Sequence, residues 1–225
     1  MTARMLVRFQ IRHLYPILPL ALFAAIAAGP IVDNSFLWHI RAGTEQLASS
    51  RVLTTDPFSY TAGGEAWRTQ SWLAELLYAY AESVFGGVSW APVMVAIVGT
   101  GVLGITGLAI YRNSLSTITT AVWLIVAVWL LAPFDQPRPV IFSYLLLAIL
   151  ALTLMLGTRA QWAVVPILWV WAGIHGSWMI GLGLVVLEAL RRRSPRLGGI
   201  AAAALIMTGL TAHGLGTWGT LVAFA

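Results

Sequence analysis

The sequence predicts an all-α fold: a polytopic transmembrane helical bundle of about six or seven spans, some short or broken, with a long extracytoplasmic first loop carrying two amphipathic surface helices. Three observations lead there. Hydrophobic residues make up 59% of the 225 positions and charged residues only 9%, against about 25% charged in soluble domains. The apolar residues fall into runs near the length of a membrane crossing, whereas one core in so short a chain could not shelter them all. The few charges gather between and at the ends of those runs. Mean hydropathy is +0.84. The absence of cysteine excludes a disulfide framework, a thiolate nucleophile and a zinc–thiolate site. The net charge of +5 comes from arginine without any lysine, and no basic stripe with interleaved polar residues accompanies it. No nucleic acid is therefore expected as a partner, and the charge is read by topology.

The whole chain, 1–225, reads as one transmembrane domain. Arg4, Arg8 and Arg12 precede an apolar run ending at Val32, long enough at roughly 28 Å to cross a hydrocarbon core. This first span, 13–32, has a cytoplasmic N-terminus by the positive-inside rule. The stretch ending Ala25-Ile26-Ala27-Ala28-Gly29 also resembles a cleavable signal peptide, but Pro16, Pro19 and Pro30 are spaced as in a polytopic first helix. The next segment, 33–86, is the long polar loop. It holds six of the eight acids and three of the thirteen arginines, an imbalance that places it outside the cytoplasm. Within it, Phe36, Ile40 and Leu47 recur at helical spacing. Leu73, Leu76, Leu77, Tyr80 and Val84 do the same, with Glu75 and Glu82 opposite. Phe58 to Thr69, centred on Gly63-Gly64, reads as a small hairpin.

The rest, 87–225, is the remaining bundle. Val88 to Ile110 returns to the cytoplasm at Arg112, Thr117 to Phe134 goes out, Asp135 to Pro139 is a tight turn, and Val140 to Leu156 comes back to Arg159. The run Trp162 to Leu190 is too long for one crossing, which would leave Arg191, Arg192, Arg193 and Arg196 outside. Splitting it at His175-Gly176-Ser177 into two short arms returns those arginines to the cytoplasm. A last span, Leu197 to Ala212, then carries His213-Gly214 outward. Asp33, Trp38, His39, Asp56, Trp67, Asp135, Arg138, His175 and His213 thereby fall on one side of the membrane.

Each candidate residue has a functional and a structural reading. Asp33, at the border of low dielectric, should have a raised pKa, as a general base does; equally, it could cap the surface helix that begins near Phe36. Asp56-Pro57-Phe58-Ser59 is a site element or a turn. Arg138, pinned between Pro137 and Pro139, suits a phosphate or pairs with Asp135. His39, His175 and His213, with Asp33, invite a metal reading, although their segments show no ligand spacing; otherwise each caps a carbonyl. Trp38, Trp67, Trp72 and Trp90 form an interfacial aromatic belt, or one of them stacks on a sugar. Gly99-Thr100-Gly101-Val102-Leu103-Gly104 matches the dinucleotide fingerprint but lies inside an apolar span without a preceding strand or a following acid. Small residues there (Ala96, Thr100, Gly104), like Gly173, Ser177 and Gly181, are spaced as close-packing helix faces. No Walker loop and no G-x-S-x-G elbow occurs. A transporter is disfavoured because no acid lies mid-span to carry coupling ions.

These residues form an ordered string that resembles the GT-C superfamily of bacterial membrane glycosyltransferases, which includes the protein mannosyltransferases and the aminoarabinose transferase of lipid A. Asp33-Asn34-Ser35-Phe36-Leu37-Trp38-His39 is similar to that group's D-x-D-x-x-W-H. Asp56-Pro57-Phe58-Ser59-Tyr60-Thr61 is similar to D-P-F-S-x-T, and Trp67 with Ser71-Trp72-Leu73-Ala74-Glu75 to W…E-W-L-x-E. Arg138-Pro139 resembles R-P-H, Trp171 to Ser177 resembles W-A-N-x-H-G-S, and Ala212-His213-Gly214 resembles N-P-Y-G. The chain departs at Ser35, Ser71, Val140 and Thr211-Ala212-His213. It looks like the N-terminal catalytic half of such an enzyme, or a fragment.

The resemblance implies transfer of a sugar from a polyprenyl-phosphate donor to a glycan, lipid or protein acceptor outside the bacterial cytoplasmic membrane. Asp33 would be the general base, and Arg138 would meet the donor phosphate with His39, His175 or a divalent ion in support, His39 counting with Asp33 among the catalytic residues. Trp38, Asp56, Trp67, Trp72, Glu75, Ser177 and His213 would shape the substrate loop. A divalent cation held by Asp33 and His39 is a candidate cofactor. The alternative expectation, prompted by Ser35 and Ser71, is a non-catalytic subunit that binds the polyprenyl lipid within an envelope complex.

Overall fold

A computed structural model describes residues 10–33 and 35–223. The chain is all-helical: ten α-helices and three short 3-10 helices, with no β-strand among the described residues. In order they are α1 (Ile17–Ala27), α2 (Ser35–Ser49), α3 (Trp72–Phe85), α4 (Trp90–Ser114), α5 (Thr117–Leu131), α6 (Val140–Met155), α7 (Val164–Ile174), α8 (Trp178–Arg191), α9 (Pro195–Thr208) and α10 (Gly216–Ala223). Arg4, Arg8 and Asn34 lie outside the described residues.

Two helical segments, Trp90–Ser114 and Thr117–Phe134, are long and apolar enough to cross a membrane, and their apolar windows are only 28% and 22% buried. A soluble core helix would be mostly buried. Trp129, Ile97 and Leu130 instead point outward.

The first apolar run is shorter as a helix than its sequence implied. Pro16 lies at the N-cap of α1, a single 3-10 turn precedes it, and Gly29-Pro30 disfavours continuation. The eleven-residue α1 therefore reaches only about 16 Å. Its Phe23 is fully buried against α4, where a Cβ added to Gly99 would stand 2.2 Å from the ring. The glycine run in α4 is thus a packing surface, but through Gly99 rather than the expected Ala96–Thr100–Gly104 face: Gly104 has open space beside it.

The long apolar run does break where the sequence placed the break. His175 is extended, Ser177 stands at the N-cap position of α8 without a side-chain capping bond, and Gly181 packs against Trp171 and Leu168, so α8 folds back along α7. The fold-back returns the arginines to the end of α6: Arg192 donates to the Leu154 carbonyl at 2.9 Å, and Arg196 donates to that of Thr158. Trp171, Trp178, Leu168, Val185, Leu197 and Ile200 form the main core of this half.

Helices α2 and α3 both form, and α3 turns the face carrying Glu75 inward. Leu77, Tyr80, Val84 and Phe85 are exposed, while Ala74, Glu75, Tyr78 and Ala79 are buried. Small residues let the two backbones meet: a Cβ on Gly43 would lie 2.0 Å from the Glu75 carbonyl oxygen. The expected 58–69 hairpin is instead one antiparallel bridge, Thr55 with Ala66, closed by Asp56 N–H to Glu65 O at 2.9 Å and Trp67 N–H to Thr54 O at 2.9 Å.

Candidate functional site

Residues from four segments far apart in sequence line one cavity of about 1020 Å³. Asp33 and His39 come from the start of α2, Arg138 from the Pro-rich turn before α6, and His175 from the α7–α8 break. Gln70, Ser71, Gln136 and Tyr144 complete its polar wall. Phe134 and Tyr144 also line an apolar groove of about 410 Å³ between α4, α5 and α6.

Asp33 does two jobs. Its Oδ1 accepts the Ser35 N–H at 2.8 Å, which caps α2 as the structural reading expected. Its Oδ2 accepts from Arg138 Nε. The neighbouring turn clamps it further, since Gln136 Oε1 accepts both the Val32 and Asp33 amides at 3.0 and 3.1 Å. The Arg138 guanidinium, with the Ser35 contacts, lowers the Asp33 carboxyl from 3.8 to about 2, against the smaller opposing effect of burial. The raised value expected of a base at a low-dielectric border is therefore corrected, because an arginine 105 positions away supplies the counter-charge. The same pairing raises Arg138 above its ordinary value. Asp135 is not its partner; that carboxylate accepts from Gln136 Nε2 at 3.3 Å.

Behind His39 lies a buried polar cluster that the sequence did not disclose. Glu75 is 1% exposed. Thr69 Oγ1 donates to its Oε1 at 2.5 Å, Gln46 Nε2 donates to its Oε2 at 2.7 Å, and His39 Nδ1 stands 3.2 Å from Oε1. Glu75 thus belongs neither to a solvated helix face nor to the cavity wall. Gln46 and Gly43, the latter making room for it, carried no signal beyond helical spacing.

The remaining candidates are spread around this centre. Ser177 donates its N–H to His175 Nδ1 at 3.1 Å and accepts from Trp171 Nε1 at 3.2 Å. His213 Nε2 donates to the Thr69 carbonyl at 2.8 Å, so it caps a carbonyl outside the main cavity. Asp56 is absorbed by its own turn: Oδ1 accepts from the Phe58 and Ser59 amides at 2.8 and 3.0 Å, and Ser59 Oγ donates to Oδ2. Those contacts hold its carboxyl below the usual range. Trp38, Phe58 and Trp67 form an edge-to-face aromatic cluster with centroids 4.4 to 5.8 Å apart. Trp72 covers Gly173. Trp90 departs from the expected belt: it is buried against Phe36 and Tyr78.

Among the described residues no three His, Asp or Glu side chains form a group able to hold a metal ion. Asp33 is already paired with the Arg138 guanidinium, so the Asp33–His39 pair fits a divalent cation poorly.

Comparison with protein-family models, with curated proteins and with solved structures finds no match in any of the three.

Proposed function

We propose that the chain is a multi-pass membrane glycosyltransferase of the GT-C type, working at the outer face of a bacterial cytoplasmic membrane on a polyprenyl-phosphate-linked sugar. The observation that carries this reading is the polar cavity holding Asp33, His39, Arg138 and His175, with Phe134 and Tyr144 shared between it and the apolar groove. A donor of that class has the same two-part chemistry, a charged phosphosugar joined to a hydrocarbon tail.

Arg138 is the phosphate ligand in this reading. Its Nε is engaged by Asp33 and its side chain is 57% exposed, so the guanidinium can turn to a phosphate entering the cavity. Asp33 keeps hold of it through Nε while the terminal nitrogens meet the phosphate. The arginines beside Leu154 and Thr158 mark the cytoplasmic end, which leaves the cavity on the opposite, outer side. Membrane lipids surround the outward apolar faces of α4 and α5.

A second reading, a non-catalytic polyprenyl-lipid binder, is favoured by Ser35 and Ser71, which line the cavity where the family string has acids. The deciding experiment measures polyprenyl-phosphate binding and sugar transfer from a panel of polyprenyl-phosphate-linked donors, using the full chain in nanodiscs. Binding with transfer supports the enzyme, binding without transfer supports the subunit, and no binding overturns both.

A further inference from the structure

Glu75 is buried out of reach of the cavity, yet every side chain facing its carboxyl group is a donor. Burying an acid in this way is costly unless its hydrogen bonds are met. Thr69 and Gln46 meet two of them from within the α2–α3 interface. The third comes from His39, the one member of the cluster that also borders the cavity. With Oε1 as acceptor, Nδ1 carries the ring proton and Nε2 keeps its lone pair. His175 is set the opposite way. Its Nδ1 is taken by Ser177, whose amide donates to it at 3.1 Å and whose hydroxyl lies 2.9 Å away, an arrangement that favours the ring proton on Nε2.

We propose that His39 Nε2 is the proton acceptor of the site and that Glu75 is its positioning residue, a step that rests on the transfer reading above. The acceptor's hydroxyl oxygen bonds to the anomeric carbon while the bond from that carbon to the phosphate oxygen breaks, its electron pair leaving on the phosphate. The hydroxyl proton passes to His39 Nε2 and is later lost to water. Arg138 and the Nε2–H of His175 meet the departing phosphate. Asp33 stays ionised and bound to the guanidinium, too weak a base for this role.

Several titratable or charged groups surround His39. Glu75 and Tyr78 lie against it from α3, and Asp33, Arg138, Tyr144 and His175 line the same cavity from the start of α2, the turn and start of α6, and the α7–α8 break. Tyr78 is raised by burial and stays neutral. Glu75 is the one in direct hydrogen bond with the ring, at 3.2 Å.

The test uses the full chain in nanodiscs with isotope-labelled histidine. Expected are the ring proton of His39 on Nδ1 in the wild type and, in Glu75→Gln, a loss of that tautomer preference together with a fall in kcat at unchanged KM. His39→Asn keeps an N–H for Glu75 but has no base. It should therefore retain polyprenyl-phosphate binding while transfer falls by about a hundredfold or more, and His39→Ala should be partly rescued by added imidazole. If Glu75→Gln does not fold, His39→Asn carries the test alone. An Nε2-protonated His39, or His39→Asn with the wild-type rate and pH profile, overturns the assignment and leaves the transfer reading standing. A wild-type chain that binds no polyprenyl phosphate overturns the transfer reading itself.

Discussion

Arg138 and Asp33 are paired across 105 positions of sequence, tying the turn before α6 to the segment just before α2. Gln136 reinforces the same junction by accepting the amides of Val32 and Asp33. The two sides of the cavity are thus linked through one carboxylate, and its charge should be visible in stability.

The folded-state value of Asp33, about 2, lies below its ordinary 3.8. The stabilisation is therefore complete above about pH 4 and is lost as the pH falls through about 2. Because Arg138 is 57% exposed, the pair is worth under about 1 kcal/mol. Asp33→Asn retains a capping oxygen and isolates the charge. Its melting temperature should lie slightly below wild type at pH 6, with the gap closing toward pH 2. A gap that does not change with pH would contradict the ion-pair account.

Arg138→Gln removes the cation proposed for the donor phosphate. Affinity for polyprenyl phosphate in nanodiscs should drop on the order of tenfold, the low end for a charged hydrogen bond, since the side chain is half exposed. Affinity for a neutral polyprenol should not change. Equal losses for both ligands would place the defect in the groove and not at the phosphate.

Gly43→Ala should be among the most damaging small substitutions. The added carbon would meet the Glu75 carbonyl at 2.0 Å, a backbone atom that cannot step aside. Separating α2 from α3 would cost about 1 to 3 kcal/mol or more and would loosen Glu75 and His39 together. Gly104→Ala, which meets nothing within 4 Å, is the control; helix propensity makes it neutral or stabilising by up to about 1 kcal/mol. Thermal unfolding of both variants checks the contrast.

The native chain has no cysteine, so single cysteines report sidedness directly. Ser83 in α3 and Ser114 at the end of α4 are both exposed. On the proposed topology, a membrane-impermeant maleimide should label Ser83→Cys in intact cells and Ser114→Cys only after the membrane is opened. Labelling of both from outside would overturn the topology.

Much of this architecture is legible in the sequence because it depends on local signals. The all-helical class, the break at His175-Gly176-Ser177 and the return of Arg192 and Arg196 to the end of α6 follow from helix breakers and from where the charges fall. The gathering of Asp33, His39, Arg138 and His175 was also foreseeable, since loops on one side of a bundle must meet. Which of them pair was not. The face that α3 turns toward α2 was not read from the sequence either. An apolar stripe does not by itself identify the buried side, and here Leu77 and Tyr80 face out while Glu75 is enclosed. The sequence by itself thus determined the elements and the end at which the polar groups collect. Only the tertiary structure decided that Arg138 takes Asp33 and that Glu75 takes His39, because those pairings depend on how closely helices approach, and at Gly43 that distance is set by the absence of a single carbon atom.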